Sequence, residues 1–199
     1  MSEEFDNQII KIVLIGETGT GKTNLINVYF DIKFNSNISA TLTPESCSKE
    51  LKIQGSNFLI NIWDTAGQEK YRSMTKIFLK GAKIVIFVYD ITVRETFDQL
   101  QFWVKSVEEI LGKEPTLGLA GNKADLFDNQ VVETKEGEQY AKEIGALFRE
   151  TSAKQDAKGF KNFVQELLEE FLVKKGVLVK KEESIKLQIK NGGKKKCFC

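Results

Sequence analysis

An α/β domain with a mostly parallel sheet and one antiparallel strand is the fold class predicted by this 199-residue sequence. Short β-rich runs alternate with longer helical patterns over the first 172 residues, which predicts strands joined by crossover helices. The first run, residues 9–15, is almost continuously apolar, as a strand buried on both faces requires. Two alternating runs, 49–53 and 58–63, flank Gln54-Gly55-Ser56-Asn57 and predict a hairpin, the source of the antiparallel strand.

Six strands and five helices follow in order. After strand 9–15 and its glycine-rich exit comes a helical stretch over 22–30. The hairpin strands 49–53 and 58–63 precede a helix over 71–80. Strand 83–89 contains the longest apolar run, Ile84-Val85-Ile86-Phe87-Val88-Tyr89, and a long helical pattern covers 93–111. Strand 116–120, helix 134–144 and strand 146–150 complete the alternation. Over 159–172, Phe160, Phe163, Val164, Leu167, Leu168 and Phe171 recur at helical spacing on one face. No internal repeat is visible.

Composition narrows the chemistry. The sequence has no histidine, which excludes a Ser-His-Asp triad, a Cys-His dyad and an imidazole switch. Its three cysteines are too few for a disulfide framework, and the acidic start Met1-Ser2-Glu3-Glu4 is not a signal peptide, so a reducing, cytosolic setting is expected. Six apolar residues in a row fall far short of the roughly 20 a membrane-spanning helix needs. The net charge of +1 argues against a nucleic-acid partner. That neutrality hides an asymmetry. Residues 173–199 hold nine lysines against two glutamates (+7), and residues 1–172 carry −6. The expected organisation is a folded body, 1–172, and a solvated polybasic tail, 173–199.

Four motifs carry the chemistry. Gly16-Glu17-Thr18-Gly19-Thr20-Gly21-Lys22-Thr23 follows the first strand and opens a helix, the setting in which G-x-x-x-x-G-K-[ST] wraps phosphates in backbone N–H groups. Lys22 brings a cation to the phosphates and Thr23 a hydroxyl for Mg²⁺. Asp64-Thr65-Ala66-Gly67-Gln68-Glu69 follows the second hairpin strand, where a carboxylate meets ligands; Gly67 offers an N–H to a terminal phosphate and Gln68 an amide to an attacking water. Asn122-Lys123-Ala124-Asp125 and Ser152-Ala153-Lys154 each follow a strand near the chain's second half. Asp125 can accept from guanine N1–H and its 2-amino group, donors that adenine lacks; Ala153 N–H can meet O6, and the Lys123 and Lys154 stems can flank the ring. Singly, the last two motifs are a helix cap and nothing; their order and spacing are the signal.

In these residues the chain resembles a Rab-type small GTPase of the Ras superfamily, over roughly residues 9–172 and the terminal Cys-x-Cys. Trp63-Asp64-Thr65-Ala66-Gly67-Gln68-Glu69-Lys70-Tyr71-Arg72-Ser73-Met74 and Phe87-Val88-Tyr89-Asp90-Ile91-Thr92 are similar to Rab signatures in particular. The resemblance implies a P-loop GTPase domain of six strands flanked by five helices, GTP or GDP and Mg²⁺ as ligands, and two nucleotide-gated segments. It places nucleotide contacts at Glu17, Thr18, Gly19, Thr20, Gly21, Lys22, Thr23 and Asn24, at Phe34, Thr41 and Gly67, and at Asn122, Lys123, Asp125, Ser152, Ala153 and Lys154. Thr23, Thr41 and Asp64 would hold the metal, and Lys22, Thr41 and Gln68 would serve hydrolysis. Cys197 and Cys199 match termini that carry two geranylgeranyl groups. The implied partners are GTP-dependent effectors, an exchange factor, a GTPase-activating protein, and prenylation and membrane-extraction chaperones, for a monomer on the cytosolic face of an intracellular membrane.

Two departures stand out. Where the family usually has Ile-Gly-x-x-Phe after the threonine, this chain has Leu42-Thr43-Pro44-Glu45-Ser46, which changes the surface effectors meet. Thr18 occupies a loop position that is glycine in Ras proteins and small or polar in Rabs, so slow hydrolysis is an alternative expectation: a membrane-tethered recruiter that binds GTP and barely cleaves it. A P-loop metabolic kinase is the more distant rival, opposed by the guanine motifs.

Overall fold

The structure is a computed structural model, and it describes residues 8–38, 41, 45–53, 55–65 and 75–178. Strand β1 (Gln8–Ile15) runs through the middle of the sheet, parallel to β3 (Ser56–Asp64) on one side and β4 (Ile84–Asp90) on the other. Strands β2 (Glu45–Ile53), β5 (Thr116–Asn122) and β6 (Leu147–Thr151) complete the order β2-β3-β1-β4-β5-β6. Among the described residues, only the β2–β3 pair is antiparallel.

Alternation along the central strands divides the core between the two faces. Ile10, Ile12 and Leu14 of β1, with Ile84, Ile86 and Val88 of β4, pack under α1 (Lys22–Tyr29) and α6 (Ala157–Lys174). Val13, Ile15, Val85, Phe87 and Tyr89 point the other way, against Leu79 of α2 (Thr75–Leu79), Leu100, Trp103 and Val107 of α4 (Leu100–Leu111), and Ala141 of α5 (Thr134–Ile144). The phenylalanine and leucine stripe expected on α6 is buried throughout. Among the described residues, no helix is long and apolar enough to cross a membrane.

Several boundaries differ from the sequence pattern. The stretch 93–111 forms two segments, α3 (Arg94–Asp98) and α4, joined at Gln99, so the described residues form six α-helices where five were expected. Strand β2 begins at Glu45 because its pairing with β3 continues from Ile53↔Ser56 to Glu45↔Asp64. The hairpin turn is correspondingly tight, with Gly55 at φ 95°. Helix α6 runs on to Lys174, and Leu178 folds back into the core with its N–H bonded to the Leu172 carbonyl at 3.2 Å.

Candidate nucleotide site

The loops that leave β1, β3, β5 and β6 line one cavity of about 590 Å³. That is within the size range of small-molecule and cofactor pockets. Thr18, Gly19, Gly21, Lys22, Thr23, Asn24, Phe34, Thr41, Asn122, Lys123, Asp125, Ala153 and Lys154 line it, so most of the residues singled out in the sequence meet in one place.

The loop between β1 and α1 is shaped by close approaches. A Cβ on Gly16 would lie 2.1 Å from the Val88 carbonyl oxygen, and one on Gly21 would lie 2.4 Å from Asn122 Nδ2. Gly16 and Gly21 also have φ of 150° and 92°, so neither position accepts a side chain. Lys22, 5 % exposed, folds over the loop and donates to the carbonyls of Gly16 at 2.9 Å and Glu17 at 2.8 Å. Burial pulls its ammonium down to about 8, against the attraction of Asp64 and Glu17. An anion beside Nζ would restore the charge that burial disfavours.

Beside Lys22, three oxygens converge. Thr23 Oγ1 and Thr41 Oγ1 lie 2.9 Å apart, and both donate to Asp64 Oδ2, at 2.7 and 3.2 Å. The other Asp64 oxygen, Oδ1, is buried with no hydrogen-bond partner. Burial raises the Asp64 carboxyl above its ordinary range, opposed by the threonine bonds and the Lys22 charge. A carboxylate and two hydroxyls are hard oxygen donors, and an orphaned carboxylate oxygen is what a divalent cation relieves. The residues present fit Mg²⁺.

The far end of the cavity is a network of fixed polar groups. Asn122, 1 % exposed, donates to the Thr20 carbonyl at 2.8 Å and accepts from Thr151 at 3.3 Å, stitching the loop to β5 and β6. Ser152 Oγ donates to Asp125 Oδ1 at 2.6 Å and fixes that carboxylate, with Ala153 and Lys154 on the neighbouring wall. Lys123, at φ 67°, is held by Asp90 at 2.5 Å.

Some expected contacts turn elsewhere. The Thr20 hydroxyl is fully buried and donates to the Glu17 carbonyl at 2.9 Å, so it braces the loop. Glu17 Oε1 accepts from the Trp103 indole at 3.0 Å, tying the loop to α4. The Asn24 carboxamide is engaged with the backbone of Asn35. Ser152 acts through Asp125, and Asp64 meets the site through Thr23 and Thr41. Gly67, Gln68, Cys197 and Cys199 lie outside the described residues, as do residues 42–44. Asp90 escaped the sequence reading, although a carboxylate ending a parallel strand is the same positional signal that marked Asp64. Trp103 gave no signal beyond a core aromatic.

Comparison with known proteins adds the decisive observation: the model of the family described as "Ras: Ras family" matches residues 11–173. The chain belongs to the Ras family. Among relatives in that family, it is 38% identical over 146 residues to the Ras-related protein Rab-2B of Dictyostelium discoideum, covering 73% of this chain and 72% of the relative. It is 40% identical over 150 residues to the Ras-related protein SEC4 of Saccharomyces cerevisiae, covering 75% and 69%. This Ras-family chain is a Rab-type small GTPase, with GTP or GDP and Mg²⁺ as its ligands.

Proposed function

We propose that this GTPase is a slow switch of vesicle traffic, recruiting effectors while GTP is bound and releasing them after hydrolysis. The observation that carries the proposal is a cavity with a cationic, hydroxyl-lined end at Lys22, Thr23 and Thr41 and a carboxylate end at Asp125. Lys22 and the loop amides hold the phosphates, and Asp125 with Ala153 selects guanine. Thr23, Thr41 and Asp64 would hold Mg²⁺, which would supply charge neutralisation at the phosphates. Gln68 orients the attacking water and the Gly67 N–H meets the terminal phosphate. Positioning and electrostatics carry the rate, and no covalent intermediate is involved. The polybasic tail, 173–199, tethers the domain to a cytosolic membrane surface through Cys197 and Cys199, aided by its lysines. An exchange factor, a GTPase-activating protein and prenylation and extraction chaperones complete the cycle.

Gln68→Leu tests the hydrolytic half. Single-turnover cleavage of GTP should fall by about 10²-fold or more while GTP affinity changes little, since the glutamine acts on water. Thr18 on the cavity wall favours a second reading, a tethered recruiter that barely hydrolyses. Equal, slow cleavage by wild type and Gln68→Leu, with faster cleavage by Thr18→Gly, would select it.

A further inference from the structure

Residues 31–38 cross the mouth of the cavity between α1 and β2, and Phe34, Asn35, Ser36 and Ile38 from this segment line it. Its entry is fixed by Asp31, which adopts φ 65° and pairs with Lys161 of α6 and, at 3.6 Å, with Lys49 of β2. Those pairs are exposed and individually weak. The middle of the segment is held differently. Asn24 Nδ2 donates to the Asn35 carbonyl at 2.9 Å, and the Asn35 N–H donates back to Asn24 Oδ1 at 3.1 Å. One carboxamide thus satisfies both backbone groups of the residue next to Phe34, in the manner of a strand pair. Asn24 sits on the first turn of α1, directly after Thr23, so the anchor is rigid with the phosphate loop.

We propose that Asn24 is a positioning residue that pins residues 31–38 across the pocket and thereby sets how fast the nucleotide leaves. Its side chain is committed to Asn35 and acts on the ligand through the strap it holds, keeping Phe34 at the pocket wall. This inference rests on the cavity being the guanine-nucleotide site.

The test uses the full-length, Mg²⁺-loaded chain with methylanthraniloyl-GDP, chased with excess GDP. Loss of two reciprocal hydrogen bonds in Asn24→Ala should speed dissociation on the order of tenfold, with the association rate constant within about twofold of wild type, because closure follows entry. Hydrogen exchange should accelerate in peptides spanning 31–38 and stay unchanged in β1, β5 and α6. An unchanged dissociation rate would overturn the inference. So would faster dissociation accompanied by lost protection throughout the chain, which marks general destabilisation. Wild-type protein that retains no labelled GDP would instead overturn the nucleotide assignment itself.

Discussion

Lys22 is a buried cation whose own fold disfavours its charge. Its ammonium titrates at about 8 against an ordinary 10.5. Between those values the unfolded chain binds the proton that the folded chain has lost, so stability of the nucleotide-stripped protein rises with pH across that window. The gain is on the order of 3 kcal/mol from a shift of this size. It is absent below about pH 8, where both states are charged. Lys22→Met should be more stable than wild type when stripped at pH 7 and should lack the rise. Urea unfolding of both proteins at pH 7 and pH 10 measures this; parallel pH dependences would contradict the assignment of the depressed group. Asp64 shows the complementary cost, a buried carboxyl raised by desolvation with one oxygen unpartnered. An anion beside Lys22 and a divalent cation beside Asp64 would each relieve a charge that this fold holds at a cost.

At the scale of elements, α5 packs on the sheet through a glycine. A Cβ on Gly137 would lie 2.6 Å from the Tyr89 hydroxyl and 2.7 Å from the Phe148 ring. Gly→Ala in an exposed helix interior stabilises by about 1 kcal/mol. Here overpacking reverses the sign, and Gly137→Ala should destabilise by about 1–3 kcal/mol, visible as a lower denaturant midpoint at unchanged slope. That contact is also an example of what the sequence does not display, since Gly137 sits in an otherwise regular helical pattern. The same limit explains Gln99, where an unbroken helical periodicity conceals the joint between α3 and α4, and the Ala124–Asn129 segment, a 3-10 helix beginning at Asp125's own motif. The strands were legible because alternation and apolar runs reflect burial directly, and α6 because its stripe faces a single layer. Of the candidate site, the glycine loop, the threonines and Asp125 were legible as a group, because phosphate, metal and base chemistry each call for a particular residue type, and they line one cavity. The partners that Asp90 and Asn24 find, Lys123 and Asn35, are set by how the strand ends and the segment after α1 come together, which hydrophobic periodicity does not display.

For the whole molecule, the sheet order β2-β3-β1-β4-β5-β6 brings five strand ends to one edge, and the phosphate and base motifs meet there although about a hundred residues separate them. Helix α6 ends at Lys174, Leu178 is the last described residue, and the remaining basic sequence carries Cys197 and Cys199. If its cysteines carry two prenyl chains, hydrocarbon burial at about 0.8 kcal/mol per CH₂ outweighs any one lysine at about 1 kcal/mol. The Cys197→Ser/Cys199→Ser double variant should then appear in the soluble fraction, and a Lys194–Lys196→Gln variant should remain largely on membranes. A double-serine protein that still pellets with membranes would place the anchor elsewhere.

The proposed recognition of guanine by Asp125 joins the fold to the function most directly, and titration of Asp125→Asn with GDP and with xanthosine diphosphate tests it. GDP affinity should fall by about two or more orders of magnitude, because an amide cannot accept from both N1–H and the 2-amino group and leaves buried polar groups unpaired. Xanthosine diphosphate, whose 2-oxo group accepts from the new amide, should bind the variant better than GDP. An Asp125→Asn protein that still prefers GDP as wild type does would contradict the site.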